Sequence, residues 1–233
     1  MIRFFLFIKP APPIPPGKVD RERTLVFEGL KHIFKLKDMI LLIIMFFIGL
    51  GIFNAITTWI EQMIAPRGFN IIQAGTLGAV LMIGGIVGCF VIPPLSDKLR
   101  KRRMFIIICL IVSAPGLIGL TFSTGYWLLL LSGFCLGFFF MSAGPVIFQY
   151  AAEVSYPSPE ATSQGLLMLA GQISGIIFIF GMDFFRSESG SMTPFLIVLI
   201  VLSLINIALS FMIKESSMIG AEYEKKRTKM NDK

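Results

Sequence analysis

The sequence predicts an all-α polytopic membrane protein with six transmembrane helices. Three observations carry that prediction. Six apolar stretches occupy residues 39–60, 72–95, 104–122, 126–149, 164–182 and 194–213. Each is about as long as the roughly 20 residues that span some 30 Å of hydrocarbon. None contains Asp, Glu, Lys, Arg or His. Finally, nineteen of the 21 Lys and Arg residues fall in residues 1–38, 98–103 and 214–233, which an even number of crossings places on one side. Hydrocarbon offers the backbone no hydrogen-bond partner, so such segments must be helices rather than open strands.

The charge distribution fixes orientation and removes some function classes. A net charge of +7 invites a nucleic-acid reading. Its clustering instead follows the positive-inside rule, leaving only Arg67 and Arg186 outside. Both termini are expected to be cytoplasmic, in a cytoplasmic or plasma membrane, with the lipid bilayer as partner and no nucleic acid. The basic clusters can also meet anionic lipid. Trp59 and Trp127 fall at the outer ends of their spans, where amphipathic rings favour the headgroup region. Cys89, Cys109 and Cys135 all lie within spans and form no CxxC or Cys/His pattern, so neither a disulfide nor a zinc framework is expected. No cofactor is expected either.

In chain order, residues 1–38 form a cytoplasmic linker. The apolar run Phe4–Ile8 is too short for a signal-peptide core and is followed by prolines, so no cleaved signal is expected. Residues 10–16 read Pro-Ala-Pro-Pro-Ile-Pro-Pro and favour an extended polyproline spacer. Between residues 24 and 37, Leu25, Val26, Leu30, Ile33 and Phe34 alternate with Glu28, Lys31, Lys35 and Lys37 at helical spacing. That pattern predicts an amphipathic helix on the inner membrane face. The six-helix bundle, residues 39–213, follows, and residues 214–233 form a basic cytoplasmic tail.

The spans differ in texture. The second carries Gly75, Gly78, Gly84, Gly85 and Gly88, the fourth Gly133 and Gly137, the fifth Gly171 and Gly175. Small residues at this spacing let backbones approach closely, so these spans are expected inside the bundle. The sixth has no glycine and reads as a lipid-facing support. Pro115 and the Gly144-Pro145 pair predict kinks. Gly75 and Gly85 are ten residues apart, as are Gly165 and Gly175, an echo expected of a three-plus-three inverted repeat.

Two motifs carry chemistry. The segment after the second span reads Pro-Pro-Leu-Ser-Asp-Lys-Leu-Arg-Lys-Arg-Arg from Pro93 to Arg103. It resembles the G-x-L-[SA]-D-R-x-G-R-R signature of the major facilitator superfamily, with Pro93 and Arg100 in place of its two glycines. That resemblance implies a gating loop built from Asp97, Lys98, Lys101 and Arg102, in which Asp97 pairs with basic groups or a helix N-terminus. The alternative is a basic topogenic loop with one incidental acid. The run from Glu153 to Leu167 resembles the E-[IV]-[ST]-Y-P-x-x-E-x-T-S-x-G-L-L pattern of the feline leukaemia virus subgroup C receptor-like family. Glu153, Tyr156, Pro157 and Glu160 form its helix-end motif. The likeness covers essentially the whole chain but only the C-terminal six-helix half of a twelve-helix facilitator fold. Phe4–Ile8 would then be the tail of the missing half's last helix.

The resemblance also implies a site. Gln172 lies near the middle of its span and matches the glutamine that lines the substrate cavity in that family; an interhelical hydrogen bond is the plainer role. Asn54, Thr57 and Thr58 form a polar patch in the first span, and Asn54 stands where the family has Tyr. Family members are associated with choline and haem movement, and quaternary ammonium groups favour aromatic faces. Phe140, with Phe138, Phe139, Phe53 and Trp59, could replace the lost aromatic, although aromatics at helical spacing more often pack. Glu61, Asp183 and Glu153 lie at span ends, so this half offers no midplane carboxylate for proton coupling.

Transport of a small organic solute by alternating access is the leading expectation, with a choline-like compound as one substrate class. A remnant that does not transport, or a half that needs a missing N-terminal half or a second copy, is the alternative. An intramembrane enzyme is disfavoured because the only histidine, His32, lies in the cytoplasmic segment and no paired intramembrane aspartates exist. A channel is disfavoured by the lack of an Arg-rich span or a TVGYG-like filter.

Overall fold

The computed structural model describes residues 26–187 and 190–215. The proline tract at 10–16, Phe4–Ile8, Leu25 and the basic tail after Glu215 lie outside the described residues. Among the described residues seven α-helices follow one another: α1 (Val26–Ile33), α2 (Lys37–Ile64), α3 (Ile71–Leu99), α4 (Arg102–Phe122), α5 (Tyr126–Val154), α6 (Glu160–Phe184) and α7 (Thr193–Ser210), with a short 3-10 turn at Ala65–Arg67. Among the described residues, α2–α7 are long and apolar enough to cross a membrane. The 28 residues of α2 and 29 of α5 rise about 42–44 Å, so both extend beyond the hydrocarbon at their ends.

One boundary differs from expectation. Helix α3 runs through Pro93 and Pro94 to Leu99, so most of the segment expected as a loop is helical. Proline removes the N–H that would bond the carbonyl four residues earlier, but its fixed φ suits a helix, so the chain continues. The turn shrinks to Arg100 and Lys101. Arg100 has φ of 52°, a left-handed conformation that glycine adopts without steric cost. This is one of the two positions where the facilitator signature has glycine.

Close contacts between backbones organise the bundle. A Cβ on Gly84 would lie 2.6 Å from the Phe134 carbonyl oxygen, and one on Gly88 2.1 Å from that of Phe138. From the other side, a Cβ on Gly137 would lie 1.9 Å from the Leu81 carbonyl oxygen. Helices α3 and α5 therefore touch backbone to backbone. On α6, Gly171 accommodates Leu50 and Gly175 accommodates Asn54, while Gly51 of α2 accommodates Ser174. The principal pairs are thus α3 with α5, α2 with α6 and α4 with α5. Exchanging the first three membrane helices for the last three converts α3–α5 into α6–α2. That exchange is the contact symmetry of an inverted repeat. Gly75 and Gly165, half of the sequence echo, have no atom close to a built Cβ.

Burial is uneven. Only about one third of the apolar windows of α3, α6 and α7 is buried, against 61% for α2. The glycine-bearing face of α3 packs on α5, while Ile72, Ile83, Ile86 and Phe90 on other faces are exposed. The expectation that α3 is enclosed holds for one face only. At the basic end, α1 stops at Ile33, short of the Lys37 that the sequence pattern reaches. Ile33 is fully buried, and Ser158 Oγ donates to the Gly29 carbonyl at 3.2 Å, holding α1 on the α5–α6 connection.

Candidate functional site

A cavity of about 240 Å³ opens between α2 and α5. Phe46, Gly49 and Phe53 come from α2, while Phe140, Gly144 and Phe148 come from α5; Leu110, Met168 and Asn206 add α4, α6 and α7. The aromatic rings form two pairs. Phe53 and Phe140 stack with centroids 6.1 Å apart and planes at 11°, and Phe46 meets Phe148 at 5.3 Å. Local sequence makes the space. Gly144 contributes no side chain, and Pro145, lacking an N–H, leaves the Met141 carbonyl without its helical bond where α5 borders the cavity. Such a lining suits an apolar or onium group on aromatic faces, with few polar atoms to orient it.

Asn206 is buried at 2% exposure and donates from Nδ2 to the Met45 carbonyl at 3.2 Å. The reading of the sixth span as a lipid-facing support is therefore corrected for one stripe only: Ile197, Val198, Val201, Leu204 and Ile205 stay exposed. Asn206, Ser203 and Ser210 turn one stripe of α7 inward, at i, i+4, i+7 and i+11 spacing counted from Leu199. A lone amide in an apolar span was the available signal.

The sequence-derived site residues separate. Phe140 lines the cavity; Asn54, Thr57 and Gln172 do not border it. Asn54 packs on Gly175 of α6. Thr57 Oγ1 donates to its own helix, to the Phe53 carbonyl at 2.8 Å and that of Asn54 at 3.2 Å. Gln172 is exposed on the surface of the six-helix unit. The buried stripe of α6 is set by Gly171, Ser174, Gly175 and Phe178 against α2, which turns residue 172 about 100° away.

At the basic end the two sequence motifs meet. Arg102 opens α4 and is buried at 8% exposure. Its Nη1 donates to Asp97 Oδ1 at the end of α3, and its Nη2 lies 3.2 Å from Glu153 Oε1 at the end of α5. Gln149 Nε2 also donates to Glu153 Oε1 at 3.3 Å. One guanidinium thus ties three helix ends, which separate motif readings did not reveal. Lys98 and Lys101 remain exposed. Tyr156-Pro157 is a cis peptide in the α5–α6 connection, and Glu160 begins α6. Next to this network, Arg103 Nη2 donates to the Phe211 carbonyl at 2.9 Å and Tyr150 to that of Lys214, anchoring the end of α7.

The opposite end has its own fastening. Arg67 donates to the carbonyls of Leu120, Thr121 and Ser123 at 2.6–3.1 Å, covering the C-terminus of α4. A cation there also opposes the negative end of the helix dipole. Trp59 Nε1 donates to the Ile179 carbonyl at 3.1 Å, so this indole joins α2 to α6, whereas Trp127 is 83% exposed.

Comparison with known proteins agrees with this architecture. The Major Facilitator Superfamily profile matches residues 1–179. The chain is 31% identical over 163 residues to an uncharacterized protein of Archaeoglobus fulgidus, covering 70% of this chain and 74% of that one. It is 32% identical over 169 residues to the choline/ethanolamine transporter FLVCR1 of Felis catus, covering 70% of this chain and 29% of the relative. Solute carrier family 49 member A3 of Xenopus tropicalis is 30% identical over 175 residues, with 72% and 36% covered. The chain thus spans about a third of these two animal relatives. In fold it matches the nucleoside transporter NupG with a TM-score of 0.65 at 17% identity, over 77% of this chain and 44% of that one. Six membrane helices with inverted-repeat contacts and a profile match over most of the length place this chain in the major facilitator superfamily, beside its FLVCR-like transporters.

Proposed function

We propose that this chain forms the C-terminal half of a secondary transporter that moves a small organic cation, of the choline or ethanolamine class, by alternating access. The observation that carries this reading is the aromatic cavity of about 240 Å³ between α2 and α5. Paired phenylalanine faces attract an onium group, and a lining poor in charge avoids trapping it. The kinship with choline/ethanolamine transporters supports the same substrate class. The Arg102 network acts as the gate at the cytoplasmic end: α3, α4 and α5 stay together while Asp97–Arg102 and Glu153–Arg102 persist, and part as they break. The exposed face of α6, with Gln172, and the exposed face of α3 meet the other half, which is either an N-terminal half or a second copy. Gln172 then lines the central path between halves. Residues 1–38 link the halves on the cytoplasmic side, and the basic tail stays on that side.

Uptake of labelled choline into proteoliposomes holding the full chain tests the proposal. Saturable uptake that falls at least tenfold in Phe140→Ala is expected. Uptake no greater than in empty vesicles would reject transport by this chain alone. Cross-linking between copies would then decide whether it assembles as a half.

A further inference from the structure

Helices α3 and α6 present the same outer surface twice. The order of buried, half-buried and exposed positions over residues 81–90 recurs without change over residues 171–180. Ile83, Ile86 and Phe90 on α3 thus stand where Ile173, Ile176 and Phe180 stand on α6, and the two phenylalanines are 78% and 70% exposed. Their depths agree as well. Gly85 packs on Met141 and Gly175 on Asn54, the chain neighbours of Phe140 and Phe53, which stack on each other.

These faces flank one side of the unit. Helix α3 packs on α5 and α6 on α2, while α4 and α7 pack on each other behind them. The outward residues of α7, Ile197, Val198 and Val201 among them, are aliphatic and suit lipid. The side between α3 and α6 differs, because Thr58 and Gln172 are exposed there. Polar side chains within a span are costly against hydrocarbon and call for protein cover.

Length indicates what covers them. The 163 residues shared with the Archaeoglobus fulgidus protein are 74% of that relative, which is therefore about 220 residues long. Twelve spans of about 20 residues would alone need roughly 240. That relative has room for one six-helix unit, and such a unit can be completed by its own copy. With nineteen of 21 Lys and Arg residues clustered for one side, every copy inserts the same way round. Two such copies are related by a twofold axis along the membrane normal, which carries α3 of one opposite α6 of the other.

We propose that the partner of these faces is a second copy of this chain, joined through two α3–α6 contacts. The paired helices run in opposite directions. Ile83 of one copy therefore stands level with Ile177 of the other, each about 3 Å from the level of Gly85 and Gly175. The inference rests on the reading that these faces meet another half and names that half.

The test uses the full chain. Extracted in a mild detergent, the wild type should have a protein mass twice the 25.9 kDa of one chain. Differently tagged copies carrying Ile83→Cys and Ile177→Cys, co-expressed and oxidised in the membrane, should form a disulfide-linked dimer. That dimer should be absent when either variant meets only itself or the wild type, a control that accounts for Cys89, Cys109 and Cys135. A dimer linked by Ile83→Cys alone overturns the α3–α6 pairing, as does a dimer mass without any cross-link. A monomer mass overturns the second copy and leaves an N-terminal half as the partner. Choline uptake is read separately: cross-linked dimers in vesicles that take up no choline reject the transport reading and leave this interface standing. The mass measurement requires no variant to fold.

Discussion

Arg102 serves two carboxylates of different standing. Glu153 is mostly shielded, whereas Asp97 has 61% of its side chain exposed. Solvent screens an exposed pair to within about 1 kcal/mol, while stranding a buried charge costs about 3–5 kcal/mol. Arg102→Ala should therefore lower thermal stability in detergent sharply, by roughly 3 kcal/mol, because Glu153 keeps only Gln149. Asp97→Asn should change stability little and instead slow choline turnover with binding nearly intact. Normal turnover in Asp97→Asn would remove the gating role from this network. At the other end, Arg67→Ala deletes charged hydrogen bonds to three carbonyls of one helix end and should cost about 2 kcal/mol, read as a lower melting temperature. Asp97 and Arg102 could be named from the signature alone. Their link to Glu153 could not, since 51 residues separate Arg102 from Glu153 in sequence.

Helix pairing is decided by which glycines face which backbones. Gly137 and Gly75 both sit in apolar spans, yet only the first meets a neighbouring carbonyl. A methyl on Gly137 would collide with the Leu81 backbone, which cannot rotate aside as a side chain can. Gly137→Ala should thus separate α3 from α5 and destabilise by about 3 kcal/mol, with poor recovery of monodisperse protein. Gly75→Ala meets nothing and should be neutral or stabilising by up to about 1 kcal/mol, since alanine favours helix over glycine. Equal losses in the two variants would contradict backbone contact as the organising feature of α3–α5. The sequence showed glycine-rich spans but gave both glycines the same weight. Spacing marks a small-residue face, and only the partner's position determines which residues on it are touched.

At the level of the whole molecule, among the described residues α3, α6 and α7 keep outward faces unpartnered in the six-helix unit, and those of α3 and α6 are the ones proposed to meet the other half. Ile72, Ile83 and Phe90 line the first, and Leu169, Gln172, Ile176 and Phe180 the second. A glutamine among those apolar residues is costly against lipid and cheap beside a water-filled path between halves. Gln172→Ala should consequently reduce uptake by a complete transporter severalfold, with membrane insertion unaltered. Unchanged uptake would remove Gln172 from the transport path.

Sequence alone determined the solvent, the number of crossings and the helical class, because hydrocarbon length and the absence of charge in a span are properties of consecutive residues. It also carried the motifs that relate this chain to facilitators. Tertiary structure decided the rest. It turned Gln172 outward and Asn206 inward, used Thr57 within its own helix, and gathered four phenylalanines from α2 and α5 around one cavity. The physical reason is that a nearly uniform apolar span gives its helix little amphipathic bias, so its rotation about its own axis is set by close packing against neighbours. Packing of that kind depends on residues far apart along the chain, and no window of the sequence contains it.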